Sequence, residues 1–255
     1  MKLKLLQLNI YRGLFTDRII DYIKKEQFDV CTLQEVTGGI ASKDKKSDTF
    51  KLLSNKLELK GILAANFNHK EDTGSYFGNT TFFNPKLNLA KSEVLRFKPF
   101  ATIEVLEDGD PRWEHQPYSA LILEFEYENK IFCVINTHGA WSQKAKDTRE
   151  KIRQGEMLFE YIKKLDKPFI LAGDFNLTRD TKVIQNYESV ATNLIRQFNV
   201  KSTLNPRLHY AKNLFPSGLA VDHIFISKEF KVLNFQVLEN VDLSDHLGIS
   251  YEVEL

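Results

Sequence analysis

The sequence predicts an α/β protein built as a four-layer α/β/β/α sandwich, with two mixed sheets stacked face to face and helices outside. Three observations lead there. Short apolar runs of strand length alternate with segments of helical period. The order strand, Asn9, helix, strand, Glu35 in the first half is echoed by strand, His138, helix, strand, Asp174 in the second. Each half then continues into strands that read as antiparallel. Two such halves bury their sheets by stacking one on the other, which brings polar strand ends from both to a common edge. At 255 residues the chain is expected to form one domain, 1–255, around a single large core.

Leu3 to Leu8 is the first strand, ending at Asn9, and Phe15, Ile19, Ile20 and Ile23 set a helical stripe up to about Lys25. Phe28 to Leu33 is a second buried strand that ends in Gln34–Glu35. Gly38 to Asp48 is polar and lysine-rich and reads as an exposed loop, followed by a short helix over Phe50 to Leu59. Strands are expected at Ile62–Phe67, Thr80–Phe83 and Ala90–Phe97, then a loop from Glu107 to Pro117. Ser119–Tyr127 and Ile131–Ile135 make a hairpin whose second strand is continuously apolar, as a central strand should be, and runs into Asn136–Thr137–His138. A long helix carries Ala145, Thr148, Ile152, Gly155, Phe159 and Ile162 on one stripe. Phe169–Ala172 is a buried strand that breaks at Gly173, with Asp174 and Asn176 on alternate positions. Beyond it lie a weak helix near Ser189–Phe198, an irregular segment from Thr203 to Leu219, and strands at Val221–Ser227, Lys231–Leu238 and Gly248–Leu255.

Thirty-five basic against thirty-four acidic side chains leave a net charge of +1, so no global field points to nucleic acid, although a local basic patch stays open. Cys31 and Cys133 both fall inside apolar strands and read as buried thiols. No stretch approaches the roughly 18 apolar residues of a membrane span, and the N-terminus lacks the pattern of a secretory signal. The expectation is a cytoplasmic monomer.

The polar strand ends form a chemical set: Asn9, Glu35, Asn136, His138, Asp174, Asn176, Asp222, His223, Asp245 and His246. Four carboxylates in one dry cleft raise one another's pKa, and a bound cation removes the conflict. Oxygen ligands such as Glu35, Asp174 and Asp245 suit Mg²⁺ or Mn²⁺. An imidazole oriented by a carboxylate is suited to activating water, and Asp245–His246 and Asp222 supply such groups. Taken singly, each is also an ordinary turn former or surface charge: Asn79 in Gly78–Asn79 makes a turn economically, and Arg112 reads as a solvated loop charge.

In order along the chain, LLQLNIYRG, DVCTLQEV, FGNTTFF, VINTHGAW, FILAGDFNLT, VDHIFIS and LSDHLGI resemble the motifs of the endonuclease/exonuclease/phosphatase superfamily, over nearly the whole chain. The resemblance implies the same four-layer fold and a metal-dependent phosphoric ester hydrolase. It implies Glu35 as principal metal ligand with Asn9 and Asp245 nearby. Asp174 would position or activate the attacking water, and Asn176 would hold a phosphate oxygen. His246 oriented by Asp222 would be the general base. His138 would contact phosphate and act as acid toward the leaving group. Asn79 would give a supporting contact, and His223 stands at a variable position.

Departures bear on substrate. Val36 follows Glu35 where the abasic-site branch has Q-E-x-K, and that branch's late tryptophans are missing, since the tryptophans are Trp113 and Trp141. The expected substrate is a phosphodiester, with nucleic acid or a nucleotide favoured. A sphingomyelinase-like activity on phospholipid headgroups is the alternative, and a non-catalytic binding protein that keeps the fold is a second. The loops 107–117 and 203–219 are expected to shape the pocket.

Overall fold

The computed structural model describes residues 1–43 and 47–255. The first half contains β1 (Lys2–Asn9), α1 (Thr16–Glu26), β2 (Val30–Gly38), α2 (Thr49–Lys56), β3 (Lys60–His69), β4 (Asp72–Phe83), β5 (Asn88–Arg96) and β6 (Ala101–Ile103). The second contains β7 (Ser119–Tyr127), β8 (Lys130–His138), α3 (Arg149–Lys163), β9 (Phe169–Asp174), α4 (Lys182–Glu188), β10 (Thr192–Asn193), α5 (Leu194–Gln197), β11 (Asp222–Ile226), β12 (Lys231–Val237) and β13 (Ile249–Glu254).

Among the described residues one sheet runs β12-β13-β1-β2-β4-β3-β6 and the other β10-β11-β9-β8-β7-β5. Each has a parallel pair joined through a helix at its centre, β1–β2 and β8–β9. Antiparallel neighbours flank both pairs. The chain is therefore a four-layer sandwich, as expected, but the sheets do not divide with the halves: β12 and β13 of the second half join the first sheet, and β5 of the first half joins the second.

Strand alternation produces the layers. Leu3 and Leu5, Val30, Phe132 and Val134, Ile170 and Ala172 pack between the sheets. Leu6, Leu8, Cys31 and Leu33 face outward under α1 and α2, against Ile19, Ile20, Ile23 and Leu53. Cys133, Ile135 and Leu171 face outward on the other side, against Leu158, Ile162, Val183 and Ile184 of α3 and α4. Both cysteines are buried and free. Among the described residues no helix is long and apolar enough to cross a membrane.

Several elements differ from expectation. β2 does not stop at Gln34–Glu35 but continues to Gly38 across a bulge between Leu33 and Val36. β4 begins at Asp72, because hairpin pairing with β3 overrides the low strand propensity of its glycines. β9 runs through Gly173 to Asp174. There the neighbouring strand approaches so closely that a Cβ would strike the Thr137 carbonyl. The helix expected at 189–198 shrinks to α5, because the Asn193 side chain caps it by accepting from the Ile195 N–H while residues 192–193 pair with β11. The main helix of that region lies upstream at α4, where Val183, Ile184 and Tyr187 form the buried stripe. Ala145 precedes α3, which Thr148 caps. Of the expected 38–48 loop, positions 44–46 lie outside the described residues; Gly38 ends β2 and Asp48 caps α2.

Candidate active site

The face between the sheets changes character along each central strand. On β1, Leu3 and Leu5 give way to Gln7 and Asn9; on β2, Val30 gives way to Thr32 and Gln34. On β8, Val134 is followed two and four residues on by Asn136 and His138, and on β9 Ala172 is followed by Asp174. β11 runs the other way and brings Asp222 to the same end. Register then fixes a row: His138 lies opposite Asp174, and Asp174 opposite Asp222.

Hydrogen bonds join the two sheets behind this rim. Gln34 Nε2 donates to Asn136 Oδ1 (2.7 Å), Asn136 Nδ2 donates to the Leu33 and Thr80 carbonyls (3.1 and 2.9 Å), and Asn79 Nδ2 donates to the Ser119 carbonyl (2.9 Å). Asn79 and Asn136 are fully buried and do not line the cavity, so they act as inter-sheet ties. His223 points away from the rim, its Nε2 at 2.8 Å from the Leu177 carbonyl.

Glu35 reaches the rim through the bulge. Its φ is +57°, in the left-handed region, and one extra residue on β2 turns its side chain toward the second sheet. Tyr11, Arg12 and Asn176 also have φ near +50° and also line the cavity. Each such non-glycine conformation costs roughly 1 kcal/mol, and four of the eight among the described residues lie at this site. Asn176 is held there because its N–H donates to Asp174 Oδ1 (2.9 Å), its Nδ2 to the Gly139 carbonyl (3.0 Å), and the buried Lys151 Nζ donates to its carbonyl (2.8 Å).

Asp174 is the centre of the cluster. Its Oδ2 accepts from Asn9 Nδ2 (3.0 Å) and lies 3.7 Å from His138 Nε2 and 3.6 Å from His246 Nε2. His246 Nδ1 is 2.9 Å from Asp222 Oδ2, and Asp222 Oδ1 also faces Gln7 Nε2 at 3.4 Å. Asn9 bridges the sheets with its donor end: Nδ2 also reaches Glu35 Oε1 (3.2 Å), while its Oδ1 accepts from the Tyr11 N–H (3.1 Å). Glu35, His138, Asp174, Asn176, Asp245 and His246 line one cavity of about 230 Å³. Asn9 and Asp222 stand immediately behind it.

Burial dominates the ionisation of these groups. It raises the Asp174 carboxyl, with Asp222 adding to the rise and the two histidines opposing it. Asp245 is pushed up to about 7, by burial first and by Glu35 beside it. His138 is lowered to about 4 by burial, whereas for His246 the carboxylates of Asp222 and Asp174 outweigh burial and raise it well above the ordinary imidazole value. Carboxyls pushed up by burial and by neighbouring acids, as at Asp174 and Asp245, are the donor set that a hard divalent cation relieves. Glu35, Asp174 and Asp245 offer the oxygens. Asp174, Asp222 and His246, and separately His209, Asp245 and His246, place ligand atoms within 4.8 Å of one another.

The cavity walls come partly from motif segments and partly from loops that carry no motif. Tyr11 and Arg12 form one side, with Arg12 and Lys43 paired to Asp108. Phe77, Trp113 and Trp141 form another, Phe77 lying against His138 (5.9 Å between centroids). The segment from Leu204 to Leu219 closes the third and adds His209 and Tyr210. Both loops expected to shape the pocket do so. Arg112 is exposed and paired with Asp110 and Glu104. His209 escaped the sequence reading; its one signal was a histidine in a partly aromatic loop.

Two facing mixed sheets with outer helices and a polar rim define the class, the DNase I-like four-layer sandwich. The chain belongs to the endonuclease/exonuclease/phosphatase family, whose sequence model matches residues 6–246. Among solved structures, a mannosyl-6-phosphatase of Bacteroides thetaiotaomicron is similar over 99% of this chain and 100% of its own, at 17% identity and TM-score 0.72. The human Nocturnin catalytic domain, with a bound sulfate anion, matches 99% of this chain and 93% of its own (20% identity, TM-score 0.71). TDP2 of D. rerio, complexed with a single-strand DNA product, matches 100% and 99% (18% identity, TM-score 0.72). At these identities the likeness is one of fold. No curated protein matches the chain.

Proposed function

We propose that this protein is a divalent-metal-dependent phosphodiesterase that hydrolyses a P–O bond by in-line attack of water. The observation that carries the reading is the His246–Asp222 pair at 2.9 Å, set beside Asp174 within a ring of buried acids. Mg²⁺ is the cation that best suits an all-oxygen donor set next to phosphate. Glu35 and Asp245 would hold it, with Asn9 fixing Glu35 against Asp174. When bound, it would neutralise charge on the phosphoryl oxygens and orient the ester.

The remaining work falls to the chain's own groups. Asp222 at Nδ1 leaves His246 Nε2 directed toward Asp174, and once the ring is neutral, on the alkaline side of its raised pKa, a water between them would lose its proton to Nε2. Asp174 orients that water. His138, kept neutral by burial, would donate from Nε2 to a phosphoryl oxygen, and Asn176 would use its remaining amide hydrogen in the same way. The aromatic walls, Phe77, Trp113, Trp141 and Tyr210, suit a planar group such as a nucleobase, which stacks at roughly 1–3 kcal/mol per base. A nucleotide or single-stranded nucleic acid is therefore the preferred substrate.

The test is cleavage of bis(p-nitrophenyl) phosphate with Mg²⁺, followed by a panel of single-stranded DNA, RNA, nucleotide diesters and sphingomyelin. Activity abolished by EDTA and by Asp174→Ala with His246→Ala supports the reading. Undiminished activity in that double variant would refute it.

A further inference from the structure

A third histidine faces the rim from a segment that carries no recognised motif. His209 is buried, lines the cavity, and sits with its ring centroid 6.2 Å from that of His246. Its segment is fastened to the Asp245–His246 turn. The Asn205 N–H donates to the Asp245 carbonyl (2.8 Å), Asn205 Nδ2 to the Ser244 carbonyl (3.0 Å), and the His209 N–H to the Asn205 carbonyl (2.9 Å). Leu204 forms a β-bridge with His246 itself. Tyr210 stacks on the His209 ring at 4.7 Å and limits its rotation.

One hydrogen bond fixes what the ring can offer. The Ala211 N–H donates to His209 Nδ1 at 3.1 Å, so Nδ1 must present its lone pair. The single proton of a neutral ring is then on Nε2. Among the described residues Nε2 has no protein partner, and it is not a fully buried atom. A metal would require the Nε2 lone pair, which would move the proton to Nδ1, against the Ala211 N–H. The ring is thus built as a donor rather than a ligand.

We propose that His209 is a further substrate-contacting residue, donating from Nε2–H to an oxygen of the phosphoryl group held at the rim. The inference rests on the phosphodiesterase reading. It gives the irregular 203–219 segment a defined part: Asn205 ties the donor to the turn that carries Asp245 and His246, so donor and base move as one unit.

The experiment compares wild type, His209→Asn and His209→Gln on bis(p-nitrophenyl) phosphate with Mg²⁺. Asn reproduces the Nδ1 acceptor without the distal donor, whereas the longer Gln places an amide N–H near the Nε2 position. The expected result is a fall in kcat/KM of about 10- to 100-fold in His209→Asn. Partial recovery is expected in His209→Gln, with the Mg²⁺ concentration for half-activation and both limbs of the pH–rate profile unchanged. An unchanged kcat/KM in His209→Asn overturns the inference alone. A shifted Mg²⁺ requirement overturns it in favour of metal ligation, and equal losses in both variants with a lowered melting temperature overturn it in favour of packing. Absence of turnover by the wild-type enzyme overturns the hydrolase reading and this inference with it.

Discussion

His246 Nδ1 lies 2.9 Å from Asp222 Oδ2, although the two residues come from a loop and a strand 24 positions apart. The contact fixes the imidazole so that Nε2 faces Asp174. Asp222→Asn should therefore lower kcat by roughly 10²- to 10⁴-fold, the range for a displaced general base. It should also move the acid limb of the kcat/KM profile to lower pH. Removing an anion removes stabilisation of the imidazolium, so His246 becomes neutral at a lower pH. Steady-state rates from pH 5 to 9, with circular dichroism to confirm the fold, check both.

Glu35 stands in a left-handed bulge between the sheets, near Asp245. Glu35→Gln keeps the shape and the contact with Asn9 but removes the charge. The Mg²⁺ concentration for half-activation should rise by at least about tenfold. Mg²⁺ should raise the melting temperature of the wild type and barely move that of the variant, because a ligand that binds the folded state alone stabilises it.

Phe125 is fully buried between the sheets, in ring contact with Phe83 (4.9 Å) and Phe132 (5.7 Å). Phe125→Ala should cost about 3–5 kcal/mol of unfolding free energy, measurable by urea titration. The β7 position is remote from the rim row, so activity at low temperature should survive in the folded fraction.

Glu150 gives the acid stability a local signature. Burial alone would raise its carboxyl, but Arg153, Gln154 and Lys98 outweigh burial and hold it at about 2. A folded-state pKa below the unfolded one means that this group's stabilisation is complete above about pH 4.5 and disappears as pH falls toward 2. Glu150→Gln should flatten that part of the melting temperature–pH curve. Parallel curves for variant and wild type between pH 5 and 2 would contradict it.

Much of this architecture was legible because short apolar runs expose the buried strands, and the polar residues at their ends mark the rim. Asp174, Asp222, His138 and His246 are all strand-end or turn residues, so the sequence exposed their position. The bulge at Glu35 was not legible. One extra residue leaves the local composition unchanged and shows itself in cross-strand register, which depends on β4. Asn136 looked like a rim residue and Asn79 like a turn former, yet their amides satisfy carbonyls of the opposite sheet, a role that no local pattern encodes. α4 was missed because its stripe is a single turn wide and gains its burial from α3. His209 reaches the site through Asn205, a contact between segments 40 residues apart.

Hydrolysis in H₂¹⁸O with Mg²⁺, read by mass spectrometry of both products, tests the central claim most directly. Water attack at phosphorus predicts one ¹⁸O in the phosphoryl product and none in the released alcohol. Label in the alcohol, or no hydrolysis of any phosphodiester offered, would contradict the account.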